Sequence, residues 1–393
     1  MQYRVNPANG SELSVLGFGC MRFTRKGGGI DQQKADRELS LALEKGVNYF
    51  DTAYAYPGSE VCLGTFLADH GCRDRVNIAT KLPQYRVKAR EDFERFFREE
   101  LSRLRTDHVD YYLMHMLNDA ASWQRLCALG AQEWIAAKKA SGEIRNIGFS
   151  FHGGPLQFKA LVDAGEWDFC QIQYNYMDER SQAGVDGLRY AHAKGLPVVI
   201  MEPLRGGRLA GGLPQDARRA FDAVAPGRSP AEWGLRWLWN QPEVTVVLSG
   251  MNDAAQVEEN CRVAGECTPG SLSRAELDAY KKALDAIQRV MKVGCTGCGY
   301  CQPCPRGVDI PTCFAAYNRS YADGLVNGMK EYLMCTTLRK VRSNASLCVK
   351  CGKCEQSCPQ HIPIRERLVD VCRRLENPAY KIAAWASPLI LKY

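Results

Sequence analysis

Short apolar runs alternate with helix-period stretches along the first two thirds of the chain. The runs that read as strands are Leu16–Gly19, Asn48–Asp51, Val76–Lys81, Val109–His115, Ile144–Ser150, Phe169–Gln173, Pro197–Met201 and Val244–Leu248. Between them, Gln32–Lys45, Arg90–Leu104, Ala131–Ala140, Pro155–Asp163 and Pro230–Asn240 carry apolar residues at helical spacing. Eight strand–helix units in about 260 residues match a closed parallel barrel in both length and count. An open doubly wound sheet would need a Gly-x-Gly-x-x-Gly turn after its first strand. Gly17-Phe18-Gly19-Cys20-Met21 does not supply one. A short hairpin precedes the barrel, with Tyr3-Arg4-Val5 and Leu13-Ser14-Val15 around the turn signal Asn9-Gly10. A further helix, roughly Ser273–Met291, leads out of it. Residues 312–345 also look helical, with Tyr317, Tyr321, Leu325 and Met329 at four-residue spacing.

That outgoing helix ends at the first of two cysteine runs. Cys295-x2-Cys298-x2-Cys301-x2-Cys304-Pro305 is followed by Cys348-x2-Cys351-x2-Cys354-x3-Cys358-Pro359. Three cysteines at two-residue spacing fold a loop around one face of an iron–sulfur cube, and the fourth, before proline, reaches across to a second cube. The eight thiolates suffice for two 4Fe–4S clusters. Crossed pairing would put Cys358 with Cys295, Cys298 and Cys301, and Cys304 with Cys348, Cys351 and Cys354. The upstream run has two residues before its last cysteine instead of three. Zinc sites commonly use two Cys-x2-Cys pairs across a longer span, and two runs of four ending in Cys-Pro suit a cube better. The fold expected is therefore α/β: a (β/α)8 TIM barrel with an N-terminal hairpin over residues 1–285. A small, mostly α-helical, ferredoxin-like iron–sulfur domain follows over 286–393.

Composition places the chain in its setting. At 393 residues it exceeds one ordinary core. The start, Met1-Gln2-Tyr3-Arg4-Val5-Asn6, lacks the apolar centre of a signal peptide, and no uncharged run reaches the length of a membrane span. A cytoplasmic location follows, where thiols stay reduced and 18 cysteines point to metal rather than disulfides. The apolar tail Ala383–Leu391 is too short to cross a bilayer and is expected to dock back on the protein. Net charge is +7, and from Lys292 onward there are 15 Lys and Arg against 7 Asp and Glu. Two oxidised clusters with their thiolates carry about −4, which cancels half that surplus. No aromatic and basic interleaving suits nucleic acid. The remainder fits an acidic electron-transfer partner, such as a ferredoxin, or a solvated face.

Polar residues at the carboxyl ends of barrel strands read as catalytic. Asp51 ends the second strand, Tyr56 follows five residues later, Lys81 ends the third and His115 the fourth. Each alone has a structural explanation, but all at successive strand ends is harder to dismiss. The segments that carry them extend into a longer series: Asn48-Tyr49-Phe50-Asp51-Thr52-Ala53-Tyr54-Ala55-Tyr56, Thr80-Lys81, Asp110–His115, Ile147-Gly148-Phe149-Ser150, Gln171–Asn175, Glu202–Gly207 and Gln256–Asn260. In this order, over residues 15 to 260, the sequence resembles the aldo-keto reductase family. With its cysteine segment it resembles the branch fused to a ferredoxin-type domain.

The resemblance implies a nicotinamide cofactor, NADP(H) or NAD(H), and a small carbonyl substrate. Reducing a carbonyl needs a hydride on one face and a proton at the oxygen. A phenol of pKa about 10 is a poor acid at neutral pH unless its anion is stabilised. Lys81 beside Tyr56 would do that, Asp51 would hold the lysine, and His115 would position the carbonyl oxygen. Tyr54 is the rival tyrosine, but Asp-Thr-Ala-x-x-Tyr selects Tyr56. Ser150 and Gln171 would meet the nicotinamide amide, with Gly19 and Met21 also lining the cofactor site. Glu202, Pro203, Leu204 and Gly206 would lie along the pyrophosphate. Ser249, Gly250, Met251, Asn252, Gln256, Glu259 and Asn260 would surround the adenosine end. Met201 stands where relatives stack an aromatic, and Arg262 is the nearest candidate for a 2′-phosphate.

The first reading is an oxidoreductase whose barrel exchanges hydride with a carbonyl or related substrate. Its clusters then serve a one-electron carrier. Nicotinamides move electrons in pairs and clusters singly, so a flavin or a partner protein stays open as the intermediary. The alternatives are a carbonyl reductase with purely structural clusters, or a nicotinamide-binding redox sensor. The substrate itself is not legible.

Overall fold

The computed structural model describes all residues except 8, 323, 338–341, 383 and 385–393. Eight parallel strands close into a barrel: Leu16–Gly19, Tyr49–Asp51, Asn77–Leu82, Val109–Met114, Ile144–Phe151, Phe169–Gln173, Val198–Met201 and Val244–Ser249. Each differs from its expected span by at most one residue at either end. Closure is made by the eighth strand on the first, with Val247 opposite Leu16 and Ser249 opposite Phe18. The barrel axis is filled by Tyr49, Ala79, Tyr111, Leu113, Phe169, Val199, Val246 and Leu248. Packing these rings and branched side chains inside leaves no bore, as expected for this barrel size.

The hairpin pairs Tyr3–Val5 with Glu12–Ser14, with Arg4 opposite Leu13. Leu13 enters the barrel interior cluster. Buried Asn6 donates its amide to the Tyr111 hydroxyl at 3.2 Å. The hairpin thus satisfies polar groups inside the barrel where apolar packing ends.

Helices begin and end where local chemistry says they should. Asp31 accepts the Lys34 N–H and starts Gln32–Glu44. Asp253 does the same for Ala254–Glu266 through the Ala255 N–H. Helix Ser59–His70 crosses the end of Glu91–Leu104 at Gly64, where a Cβ would collide with the Arg103 carbonyl oxygen. Glycine is what lets these two backbones touch.

By compactness the chain divides into residues 1–204 with 231–272, and residues 205–230 with 273–393. This places Arg205–Pro230 and the helix Arg274–Val290 with the cysteine segment, whereas the sequence suggested a boundary at 285/286. Within that second unit, Gln215–Asp222 packs along Arg274–Val290, with Phe221 and Tyr280 rings 5.5 Å apart. Ser273 and Glu276 form a reciprocal cap at the start of the longer helix.

The span 312–345 is not one helix. Ile310–Ala322 and Leu325–Tyr332 are separated at Gly324, whose φ of 91° suits glycine. Tyr317 and Tyr321 therefore sit on one helix, and Leu325 and Met329 on the next. These helices share with Ile364–Leu375 a core of Val308, Ile310, Phe314, Leu368, Val371 and Leu375. Of the expected apolar tail only Ala384 is described, buried against this core; the rest of 383–391 lies outside the described residues. No helix among the described residues is long and apolar enough to cross a membrane.

Candidate active site and cluster segment

The barrel strands deliver Asp51, Lys81 and His115 to the same end. Lys81 Nζ lies 2.6 Å from Asp51 Oδ1 and 2.6 Å from the Thr52 carbonyl oxygen. Both partners are almost wholly enclosed, Lys81 1% and Asp51 4% exposed. A buried ion pair is held only when its remaining lone pairs are satisfied. Here Gln171 Nε2 donates to Asp51 Oδ2 at 2.9 Å. Burial pushes the Asp51 carboxyl up, against the opposing pull of Lys81 and the Gln171 bond.

Tyr56 enters from the loop after the second strand. Lys81 Nζ sits 5.1 Å from its ring centroid, and its ring meets His115 edge-on with centroids 6.0 Å apart. The His115 imidazole is driven well below its usual range by burial, then by the Lys81 and His152 charges. It is therefore neutral at physiological pH, and its buried Nδ1 has no hydrogen-bond partner among the described residues. A neutral ring beside a lysine and a phenol can offer a hydrogen bond without adding a second positive charge. Tyr54 goes elsewhere: its hydroxyl donates to Glu99 at 2.9 Å and its ring packs on Phe96. Of the two tyrosines, only Tyr56 meets Lys81 and His115.

The expected cofactor residues fall into two groups. Ser150 Oγ accepts the Met116 N–H at 2.8 Å, and Gln171 is engaged by Asp51. Both keep further capacity, a hydroxyl proton on Ser150 and the amide oxygen on Gln171. Gly19 lies against the backbone of Ser249 and Gly250. Asn260 Nδ2 donates to Ser249 Oγ at 3.1 Å, and Gln256 Oε1 accepts the Asn252 N–H at 3.2 Å. Glu259 is half-buried on that helix, while Met251 is buried in the hydrophobic core, so only its backbone remains for a ligand. Met21 is exposed, and Met201 packs on the barrel interior. Glu202, at the end of the seventh strand, takes a left-handed φ of 54°, followed by Pro203 and Leu204. Gly206 belongs to the second compact unit.

Three features escaped the sequence. Arg262 is committed to Glu232 and Glu266, so it is not the spare cation it looks like in the sequence. Arg22 instead lies along Gly250, where a Cβ would come within 3.3 Å of its side chain. His152, just past the fifth strand, is buried beside His115, its Nδ1 3.2 Å from Gln182 Oε1. The carboxyl-end rule could have found His152, one residue beyond Phe151.

In the second unit the two cysteine runs adopt matching backbones. Gly297 and Gly299 flank Cys298 with φ of 74° and 84°, and Lys350 and Gly352 flank Cys351 with 57° and 79°. In each run the N–H two residues on points back at the first sulfur, Gly297 to Cys295 and Lys350 to Cys348, both at 3.4 Å. Burial, then the neighbouring Cys295, Cys298 and Cys358, push the Cys301 thiol up to about 12. The Cys354 thiol is raised by burial, then by Glu355, Cys348 and Cys304. A cavity of about 130 Å³ is lined by Cys304, Cys348, Cys351 and Cys354, with Val308 and Leu368 on its apolar wall. Among the described residues no three potential ligands close on a single ion. An iron–sulfur cube spreads its thiolates over four irons, so the donor set, the N–H groups aimed at sulfur and the cavity fit that group.

Barrel and site together define a (β/α)8 protein of oxidoreductase type, with Asp51, Lys81 and His115 at one end of the strands and Tyr56 on the loop beside them. Residues 15–269 match the aldo/keto reductase family and 294–362 the 4Fe-4S dicluster domain. The chain belongs to the aldo/keto reductase family. It is 29% identical to the uncharacterized oxidoreductase YrpG of Bacillus subtilis, over 67% of this chain and 90% of that protein. It is 27% identical to L-galactose dehydrogenase of Arabidopsis thaliana, covering 72% and 93%. Among solved structures, the holo form of the aldo-keto reductase AKR11C1 from Bacillus halodurans superposes with a TM-score of 0.59 at 25% identity, covering 72% of this chain and 96% of that one.

Proposed function

We propose that the chain interconverts a small carbonyl compound and its alcohol with NADP(H) or NAD(H). In this reading two 4Fe–4S clusters exchange electrons with a one-electron carrier. The observation that carries the first part is the buried Lys81–Asp51 pair set against Tyr56 and His115. The nicotinamide supplies a hydride to the carbonyl carbon. Tyr56 gives its proton to the oxygen, completing the alcohol, and the Lys81 charge stabilises the phenolate left behind. Asp51 keeps that lysine charged and pointed, and Gln171 fixes the second carboxylate oxygen. Neutral His115 orients the carbonyl by a hydrogen bond. Relatives named as a dehydrogenase and a reductase support this reaction class.

The second part rests on the two cysteine sets. Each cluster carries one electron, so two hold the content of one hydride. Converting pairs to single electrons calls for a flavin or a partner protein. The test uses anaerobically prepared, iron-loaded protein mixed with NADPH and then NADH, followed by cluster absorbance and EPR. Cluster reduction at the speed of turnover supports exchange. Carbonyl reduction with clusters that neither nicotinamide nor a low-potential ferredoxin reduces would leave them structural.

A further inference from the structure

The second cysteine run lies closer to solvent than the first. Of the eight cysteines, all of them described, Cys351 alone is exposed; Cys295 is buried and the others are half-buried. The cavity lined by Cys304, Cys348, Cys351 and Cys354 is also bordered by Val349, Arg306 and Lys353. Val349 stands 58% exposed between Cys348 and Lys350. Arg306, Lys350 and Lys353 are exposed too, and none has an acidic partner among the described residues. Arg365 lies over Gly352, where a Cβ would come within 3.6 Å of its guanidinium carbon, but Glu355 meets its charge at 2.8 Å. Over residues 298–306 and 348–365, Glu355 is the only acidic residue. An exposed apolar side chain ringed by cations has the anatomy of a small protein interface, apolar at the centre and polar at the rim.

We infer that a small acidic one-electron carrier protein docks on Val349, Arg306, Lys350 and Lys353. It exchanges electrons there through the cluster of Cys304, Cys348, Cys351 and Cys354. Electron transfer weakens steeply with distance, so Cys351, the cysteine nearest solvent, marks the shortest route. Each exposed cation is screened by water and salt, yet together they steer an oppositely charged partner into register. Interfaces of redox carriers are small, so one exposed valine with a basic rim suffices where a permanent dimer needs far more apolar area. One electron leaves the carrier, which is oxidised, and arrives on the cluster, which is reduced, with no bond made or broken. The inference rests on reading the eight cysteines as cluster ligands and on the proposed exchange with a one-electron carrier.

An acidic 2Fe–2S ferredoxin serves as the probe, titrated calorimetrically and without air into the full-length, iron-loaded protein. Iron and sulfide are counted for every variant. Binding is expected at low salt. It should weaken about tenfold or more as ionic strength rises from about 0.01 to about 0.1 M, where the screening length shrinks from about 30 to about 10 Å. Arg306→Glu with Lys353→Glu should lower the affinity about tenfold or more at low salt, and Val349→Asp by a similar factor. Arg274→Glu with Lys281→Glu makes the same change in net charge at two exposed positions of the helix Arg274–Val290 and should leave affinity within about twofold. In stopped flow, the reduced ferredoxin should pass its electron more slowly to the first variants than to wild type or this control. Equal losses in the control overturn the proposal, as does a loaded wild type that binds no ferredoxin or loaded face variants that bind it normally. Heparin held more tightly than ferredoxin, or self-association lost in the face variants, would assign the face to another occupant and overturn it too. Ferredoxin bound at this face without passing an electron contradicts the exchange, and a chain that binds no iron contradicts the cluster reading itself.

Discussion

Lys81 Nζ and Asp51 Oδ1 meet at 2.6 Å with almost no water around either. A pair so enclosed stands or falls together. Removing the cation leaves an uncompensated buried carboxylate, which costs about 3–5 kcal/mol. Lys81→Met should therefore lose stability on that scale as well as activity. Asp51→Asn together with Lys81→Met should regain a large part of the stability and none of the activity. Chemical denaturation of the two variants checks this; equal stabilities would show that the pair is not a unit.

His115 gives the protein a pH signature. Its folded pKa is depressed below the 6.5 of an exposed histidine, chiefly by burial. The unfolded chain therefore binds the proton more readily. The stability tied to a neutral His115 is complete above about pH 6.5 and declines as the pH falls from there toward the folded value. His115→Gln, neutral throughout, should flatten that decline. Melting temperatures of both proteins from pH 7.5 to 5 measure it, and parallel curves would contradict it.

Arg22 offers the positive charge that Gly250 and Gln256 lack at the expected adenosine end. If it meets a cofactor phosphate, Arg22→Ala should weaken NADPH by roughly tenfold or more, in line with hydrogen bonds to charged groups. Binding of NADH should change much less. Fluorescence titration with each nucleotide decides; equal losses would place Arg22 on the shared pyrophosphate, and no loss would remove it from the site.

Much of this was readable from the chain because barrel strands are short, apolar and regularly spaced. Asp51, Lys81 and His115 interrupt that apolar pattern at strand ends, which is why they stood out. Two-residue cysteine spacing is equally explicit. What stayed hidden depends on contacts between distant positions. Arg262 looks available until Glu232 and Glu266, brought in by the fold, engage it. Arg22 and Gly250 are likewise far apart in sequence. The four-residue spacing of Tyr317 to Met329 suggested one helix, and Gly324 broke it.

The central claim is that Tyr56 protonates the substrate oxygen as hydride arrives. Single-turnover oxidation of NADPH by an aldehyde should be compared in wild type and Tyr56→Phe, with nucleotide affinity measured separately. The account predicts a rate loss of about 10²–10⁴-fold with NADPH binding nearly unchanged. Hydride transfer at the wild-type rate in Tyr56→Phe would contradict it.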